Sequence, residues 1–177
     1  GSLIDFLDGL LELSRAADGQ HEPKLVRLRV NVVLAPLVAE YRRLAAAVGL
    51  ELRHVPCSAW IESDPRLLER ILRNILANAV RYTQRGRILV GCRRCGDRLA
   101  IEVCDTGPGI AERDQERMFD TFFQGAEAQN SRAGFGLGLA IVKQLALRMG
   151  HEICLRSVEG RGSCFRVLVP RPSLKER

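Results

Sequence analysis

The chain is poor in aromatic residues, with one Trp and two Tyr among its 177 residues and a total aromatic share of 5%. A surface that stacks nucleic-acid bases needs several such rings along a strand path, so that class is disfavoured. Long apolar runs are missing too: none approaches the roughly 20 residues of a membrane-spanning helix. The amino terminus, "GSLIDFLDGL", lacks the pattern of a secretory signal. Gly1-Ser2 reads as a cloning remnant, and the chain is expected to be a piece of a longer protein. Histidine is scarce, at His21, His54 and His151.

Cysteine is present without an obvious framework. Cys57, Cys92, Cys95, Cys104, Cys154 and Cys164 sit mostly singly inside apolar strand-like runs such as "IEVCDTG" and "GSCFRVLV". They are expected to be small core residues in a reducing compartment. "CRRC" at 92–95 is a lone CxxC with no second pair, a weak zinc signal, and positions three apart on a strand face opposite sides.

What remains is an ordinary globular composition, 46% hydrophobic and 27% charged, of a length that suits one domain. Twenty-seven basic residues against 21 acidic give +6, which favours a polyanionic ligand or partner without choosing among them.

Residues 3–17, "LIDFLDGLLELSRAA", have helical spacing and end in the turn formers "DGQHEPK". "KLVRLRV" reads as a strand. Asn31 is expected to cap a helix through "VVLAPLVAEYRRLAAAVG", where Pro36 is tolerable only near the first turn. "LELRHV" is a second strand. "SDPRLLERILRNILANAVRYT" has the sharpest helix start, with Asp64 as cap and Pro65 at the first helical position. Two alternating runs, "RILVGCRRC" and "RLAIEVC", join through Gly96-Asp97 as a hairpin. A short helix follows at "ERDQERMF", then a patternless stretch at 120–133 whose length suits a lid. The helix "GLAIVKQLALRMG" and a hairpin turning at "VEGRG" close the set. This order predicts helices layered on one face of a mixed sheet.

Three constellations could carry chemistry. Asn74 and Asn78 stand at i and i+4 on one helix, with Arg81 extending that face. Either both asparagines face solvent, or their amide oxygens face a magnesium ion. "DTGPGI" places Asp105 at a strand end beside Gly107 and Gly109, which is either a simple turn or a carboxylate that accepts from an exocyclic amine such as that of adenine. "RAGFGLGLAIVK" puts Gly134, Gly136 and Gly138 at a helix start, although glycine costs about 1 kcal/mol there. Bare N–H groups at the positive helix end suit phosphate. No Lys-Ser or Lys-Thr follows, so this is not a P-loop, and no strand leads in, so it is not a dinucleotide fingerprint.

Taken in order, these segments resemble the ATP-binding catalytic domain of sensor histidine kinases, which shares the Bergerat fold with gyrase, mismatch-repair and chaperone ATPases. "RNILANAVRYT" looks like the N box, "DTGPGI" the G1 box, "MFDTFF" the F box and "GFGLGL" the G2 box. The resemblance covers roughly residues 25–170. "LLELSRAADG" is similar to the end of the dimerisation-domain helix that precedes this domain. The implied fold is α+β, a two-layer α/β sandwich with a mixed, mainly antiparallel sheet of about five strands covered on one face by about three helices. The implied division is 1–20 for the remnant and helix end, 21–172 for the catalytic domain and 173–177 for a tail or linker.

The resemblance implies ATP and Mg2+ as cofactors. Asn74 and Asn78 would hold the metal, Arg81 would approach the phosphates and Tyr82 would pack on adenine. Asp105 would accept from the adenine amine within a pocket shaped by Gly107, Gly109 and Ile110. Phe119, Phe122 and Phe123 would anchor the lid, or simply pack in the core. Arg132 would reach a terminal phosphate, and Gly134, Phe135, Gly136, Leu137, Gly138 and Leu139 would wrap the phosphate chain. Hydrolysing relatives carry a water-activating glutamate where Asn74 stands, and an amide is no general base. Transfer to an outside histidine is therefore expected, the partners being the phosphoacceptor dimerisation domain of the same kinase and a receiver domain, with no nucleic acid. His21 in "HEP" follows its helix rather than riding in it and reads as a loop residue. The isolated domain is expected to be monomeric and cytoplasmic, within a homodimeric parent. An ATP-hydrolysing relative, a protein-serine kinase of the same fold, a non-catalytic ATP sensor and a basic nucleic-acid-binding domain are the alternatives.

Overall fold

Helix start signals and strand alternation determine most of the architecture of the computed structural model, which describes residues 22–123 and 136–172 together with Leu7, Leu10, Leu11 and Ser14. The chain runs through β1 (Val26–Arg29), α1 (Asn31–Ala47), β2 (Glu51–His54), β3 (Trp60–Ser63), α2 (Pro65–Tyr82), β4 (Arg87–Cys95) and β5 (Arg98–Asp105). It continues through α3 (Glu112–Gln115), a 3-10 turn (Arg117–Phe119), α4 (Gly138–Arg148), β6 (Glu152–Val158) and β7 (Gly162–Pro170).

Helix α2 is fixed as its sequence predicts. Asp64 Oδ1 accepts from the N–H groups of Arg66 and Leu67 at 2.9 and 3.2 Å, its Oδ2 accepts from Lys24 N–H at 2.9 Å, and Pro65 opens the first turn. Such a cap contributes about 1 kcal/mol. Leu68, Ile71, Leu72, Ile75, Leu76 and Ala79 form the buried stripe. Five strands make one sheet in the order β2-β4-β5-β7-β6, with β2 parallel to β4 and the other pairs antiparallel. One face of that sheet, including Ile88, Val90, Ile101, Val103, Phe165 and Val167, shares a single core with α1, α2 and α4. The expected two-layer α+β class holds. Leu7, Leu10, Leu11 and Ser14 are helical, and Leu10 packs against the core.

Four expectations change. The strand β3 was not foreseen; it is four residues long and pairs antiparallel with β1 in a separate two-stranded sheet. Asn31 does not cap α1: Val30 holds the cap position without a side-chain bond. Val30 is fully buried, its N–H donates to Ala59 C=O at 2.9 Å, and its own C=O accepts from Val33 and Leu34. Packing, not a side-chain oxygen, therefore sets that start. Pro36 lies beyond the first turn of α1, where it is tolerated because Val32, whose C=O loses a partner, and Pro36 itself are both exposed.

The cysteines provide the fourth change. Cys92 is half-buried against the core and Cys95 is exposed at the hairpin tip, as expected for opposite faces. Cys104 and Cys164, however, are directly opposite each other on β5 and β7 and form a disulfide. They are not the free core thiols expected of them, because alternation turns both away from the helices toward the outer face, where nothing separates the two sulfurs.

Candidate functional site

Because α2 buries one stripe, its opposite flank carries Asn74 and Asn78, both half-buried, and the exposed Arg81. Asn74 Nδ2 donates back to Arg70 C=O at 2.9 Å. Its Oδ1 faces the start of α4, where a Cβ on Gly138 would come within 2.9 Å of it. Neither Asn74 Oδ1 nor the Asn78 amide is engaged by a hydrogen bond among the described residues, so neutral oxygen donors are available at i and i+4. The first turn of α4 has no side-chain cap and no acidic residue. Its N–H groups thus present the positive helix end beside Asn74, one helical turn from Asn78.

One end of α2 reaches the other half of the site. From Asn74 to Thr83 the helix advances about 13 Å. Thr83 closes α2, its N–H bonded to Ala79 C=O at 3.2 Å. Its side chain is buried and its Oγ1 has no hydrogen-bond partner among the described residues. A Cβ added to Gly107 would lie 3.1 Å from that oxygen and 2.8 Å from Asp105 Oδ1. The missing side chain of Gly107 therefore lets its backbone lie directly against a hydroxyl and a carboxylate, where a Cβ would force one of them to shift.

Asp105 ends β5 on the helix-facing side, with Oδ1 accepting from Gly107 N–H at 2.8 Å. Burial pushes its carboxyl above the ordinary carboxylate range, while the N–H groups of Gly107 and Ser163 pull it back. The loop after Asp105 is pinned to the last hairpin. Ile110 N–H donates to Ser157 Oγ at 2.8 Å, Ser157 Oγ lies 2.9 Å from Ser163 Oγ, and Gln115 Nε2 donates to Ile110 C=O at 2.9 Å.

The glycines divide by what they approach. Gly109 has φ +72°, and a Cβ there would collide with the Val158 carbonyl; its role is to seat the loop on the hairpin. Gly136 has φ +70°, and its Cβ would collide with the backbone of Phe122 and Phe123. Its C=O accepts from Phe122 N–H at 3.1 Å. Leu137 is buried and Leu139 packs half-buried on the core. Phe119 meets Phe165 edge-on with ring centres 6.4 Å apart, Phe123 lies under the Arg117 guanidinium at 4.9 Å, and Phe122 is exposed. Tyr82, the last residue of α2, is half-buried. Arg132, Gly134 and Phe135 lie outside the described residues.

Thr83 and Ser163 were not anticipated. Threonine is an unusual closing residue for a helix that glycine or asparagine usually ends, and Ser163 interrupts the core-facing alternation shared with Phe165 and Val167. Those were the available signals. Glu102, Cys104 and Cys164 bring ligand atoms within 4.8 Å of one another, but the two sulfurs are bonded to each other and Glu102 is paired with Arg166 at 2.9 Å, so no cation is held there.

Residues 63–173 match the family described as histidine kinase-, DNA gyrase B- and HSP90-like ATPase. The chain belongs to that family. Sensor-like histidine kinase SenX3 of Mycobacterium tuberculosis is 34% identical over 171 residues, 95% of this chain and 42% of its own length. Sensor histidine kinase RcsC of Escherichia coli is 33% identical over 174 residues, 95% of this chain and 18% of its own. The chain thus spans less than half of these curated relatives. Among solved structures, full-length ShkA in complex with AMPPNP has a TM-score of 0.81 at 28% identity, covering 98% of this chain and 38% of that one. No helix among the described residues is long and apolar enough to cross a membrane.

Proposed function

We propose that this chain is the catalytic, ATP-binding part of a two-component sensor histidine kinase, transferring the γ-phosphate of Mg-ATP to a histidine on a dimerisation domain. The observation that carries this reading is the span of α2. Its middle, at Asn74 and Asn78, carries two unengaged amide oxygens beside an uncapped helix start, and its C-terminal end lies beside the Thr83 hydroxyl and the Asp105 carboxylate. An extended nucleoside triphosphate has a base edge at one end and phosphates at the other, and this pairing suits both. The AMPPNP complex of ShkA, alike over nearly the whole chain, supports it.

In this reading the ionised Asp105 accepts from the 6-amino group of adenine, the Thr83 hydroxyl faces the same edge, and Gly107 keeps its backbone close against both. Tyr82 covers the base, with Gly109 and Ile110 fixing the loop beneath it. Asn74 and Asn78 are the metal-holding residues; magnesium bound there would neutralise phosphate charge. Arg81, and Arg132 with the glycine segment of Gly134 to Gly138, would attend the phosphates. Positioning and charge stabilisation are most of what phosphoryl transfer needs.

The acceptor comes from elsewhere. His151 is buried and His54 is half-buried in β2, and burial holds both below the ordinary imidazole range. An imidazole nitrogen of the dimerisation domain forms the new bond to phosphorus while the bond to the ADP oxygen breaks. Asn74, an amide where hydrolysing relatives have a glutamate, gives water no base. The receiver domain of a response regulator would then take the phosphate, in a homodimeric parent whose catalytic part works in the cytoplasm. Incubating the chain with γ-labelled ATP tests this, alone and with the phosphoacceptor domain of its parent. Acid-labile label on that domain is the expected result, and rapid phosphate release by the chain alone would replace the kinase by an ATPase.

A further inference from the structure

The site uses only one face of β5 and β7. Side chains alternate across a strand, so Asp105 and Ser163 point toward the helices while Cys104 and Cys164, directly paired in the ladder, point away and are joined by a disulfide. We propose that this bond is a reducible tie behind the nucleotide pocket, opened by an external dithiol and setting the affinity for the nucleotide. It rests on the ATP-binding reading above.

Position is the first reason. Cys104 immediately precedes Asp105 and Cys164 immediately follows Ser163, and Asp105 and Ser163 form the next rung of the same ladder. The N–H of Ser163 helps hold the Asp105 carboxylate ionised, and its hydroxyl joins the Ser157 link that fixes Ile110. The tie therefore lies one residue from the anchors of the base end. It also spans 60 residues of sequence, including the loop at 106–111, α3 and α4, so the helix start at Gly138 falls within the closed loop while Asn74 and Asn78 lie outside it. Opening it leaves the rung at Asp105 to the backbone ladder alone, and binding must then supply the ordering that the covalent link provided.

Chemistry is the second reason. Both cysteines are half-buried rather than fully buried and lie on the face of the sheet away from the helices. Arg156 stands opposite Cys164 on β6, Arg166 lies on the same outer face, and Arg93 reaches toward Glu102 at 3.9 Å. This cationic setting favours the thiolates that reduction releases. Glu102 is the opposing charge, and Arg166 holds it at 2.9 Å. Cys57, Cys92, Cys95 and Cys154 are free of disulfides; Cys92 lies on the core-facing side of the sheet, and burial raises the thiol of Cys154, which makes it a poor attacker of the disulfide. A dithiol thiolate attacks one sulfur, forms a mixed disulfide and expels the other as thiolate. Its second thiol resolves the intermediate, so that two electrons and two protons pass to Cys104 and Cys164 and the dithiol leaves as a disulfide.

The test titrates the chain with Mg-AMPPNP before and after reduction by dithiothreitol, and again after reoxidation, with thiols counted in each state. The expected result is four thiols rising to six, a Kd at least about threefold weaker on reduction, and recovery on reoxidation. The double substitution Cys104→Ser with Cys164→Ser should bind like the reduced chain under both conditions; should it fail to fold, the reduced wild-type chain remains the deciding sample. Six thiols before reduction, or equal affinity in both states while the thiol count changes, overturns the switch and leaves the ATP reading standing. No binding in either state overturns both.

Discussion

The two ends of the site are built differently. At the base end, Asp105 sits on a central strand, its loop is tied to the β6–β7 hairpin by Ile110, Ser157, Ser163 and Gln115, and a disulfide lies one residue behind it. At the phosphate end the groups are a helix start without a cap and two asparagine amides with unengaged oxygens, one of them steadied by Arg70 C=O. On the proposed reading, fixed geometry serves recognition of a flat, invariant base. Unengaged donors and acceptors would serve a metal and a phosphate chain whose contacts must change as a bond breaks.

Substitutions should separate these ends. Asn78→Ala should lower phosphotransfer about a thousandfold, a loss typical of removing one transition-state contact, while AMPPNP binding changes by less than about fivefold. A variant with normal transfer would remove Asn78 from the chemistry. Gly109→Ala should cost about 3 kcal/mol of folding stability, because its positive φ and the Val158 carbonyl leave no room for a methyl group. Gly107→Ala meets only side-chain oxygens and a backbone Cα at 3.5 Å; it should spare stability and weaken nucleotide binding. Equal effects of the two in urea unfolding would erase the distinction drawn between them.

Away from both ends, His151 lies buried with Nε2 2.8 Å from Ser63 Oγ, and burial lowers its imidazole to about 4 from the ordinary 6.5. Since the folded chain binds this proton less readily than the unfolded one, the stability it contributes is complete above pH 6.5. It is lost as pH falls toward 4, by about 3 kcal/mol at most. Urea midpoints that stay flat across this window, beyond the drift of a His151→Gln control, would contradict it. The smallest effect is expected at Thr83. Thr83→Val removes a buried hydroxyl that lacks a partner among the described residues, so stability should hold or rise by up to about 1 kcal/mol. AMPPNP should bind about tenfold more weakly, and unchanged affinity would take Thr83 out of the pocket.

Much of this was legible because short-range chemistry determined it. Asp64 and Pro65 announce α2, Gly96-Asp97 announces the β4–β5 hairpin, and i, i+4 spacing places Asn74 and Asn78 on one face. What escaped depends on long-range partners. β3 exists through β1, four residues far away in sequence; Val30 starts α1 because the core takes its side chain. The pairing of Cys104 with Cys164 follows from the register of β5 on β7, which no local pattern contains. Gly107 and Gly109 look equivalent in "DTGPGI", and only the folded chain shows that one lies against the side-chain oxygens of Asp105 and Thr83 and the other against the Val158 carbonyl.

Calorimetric titration of the chain and of Asp105→Asn with Mg-AMPPNP tests the central claim most directly. Loss of a buried, charge-assisted contact should weaken binding by about ten- to a hundredfold with the unfolding midpoint kept. Equal affinity of the two chains would contradict the assignment of this pocket to the adenine base.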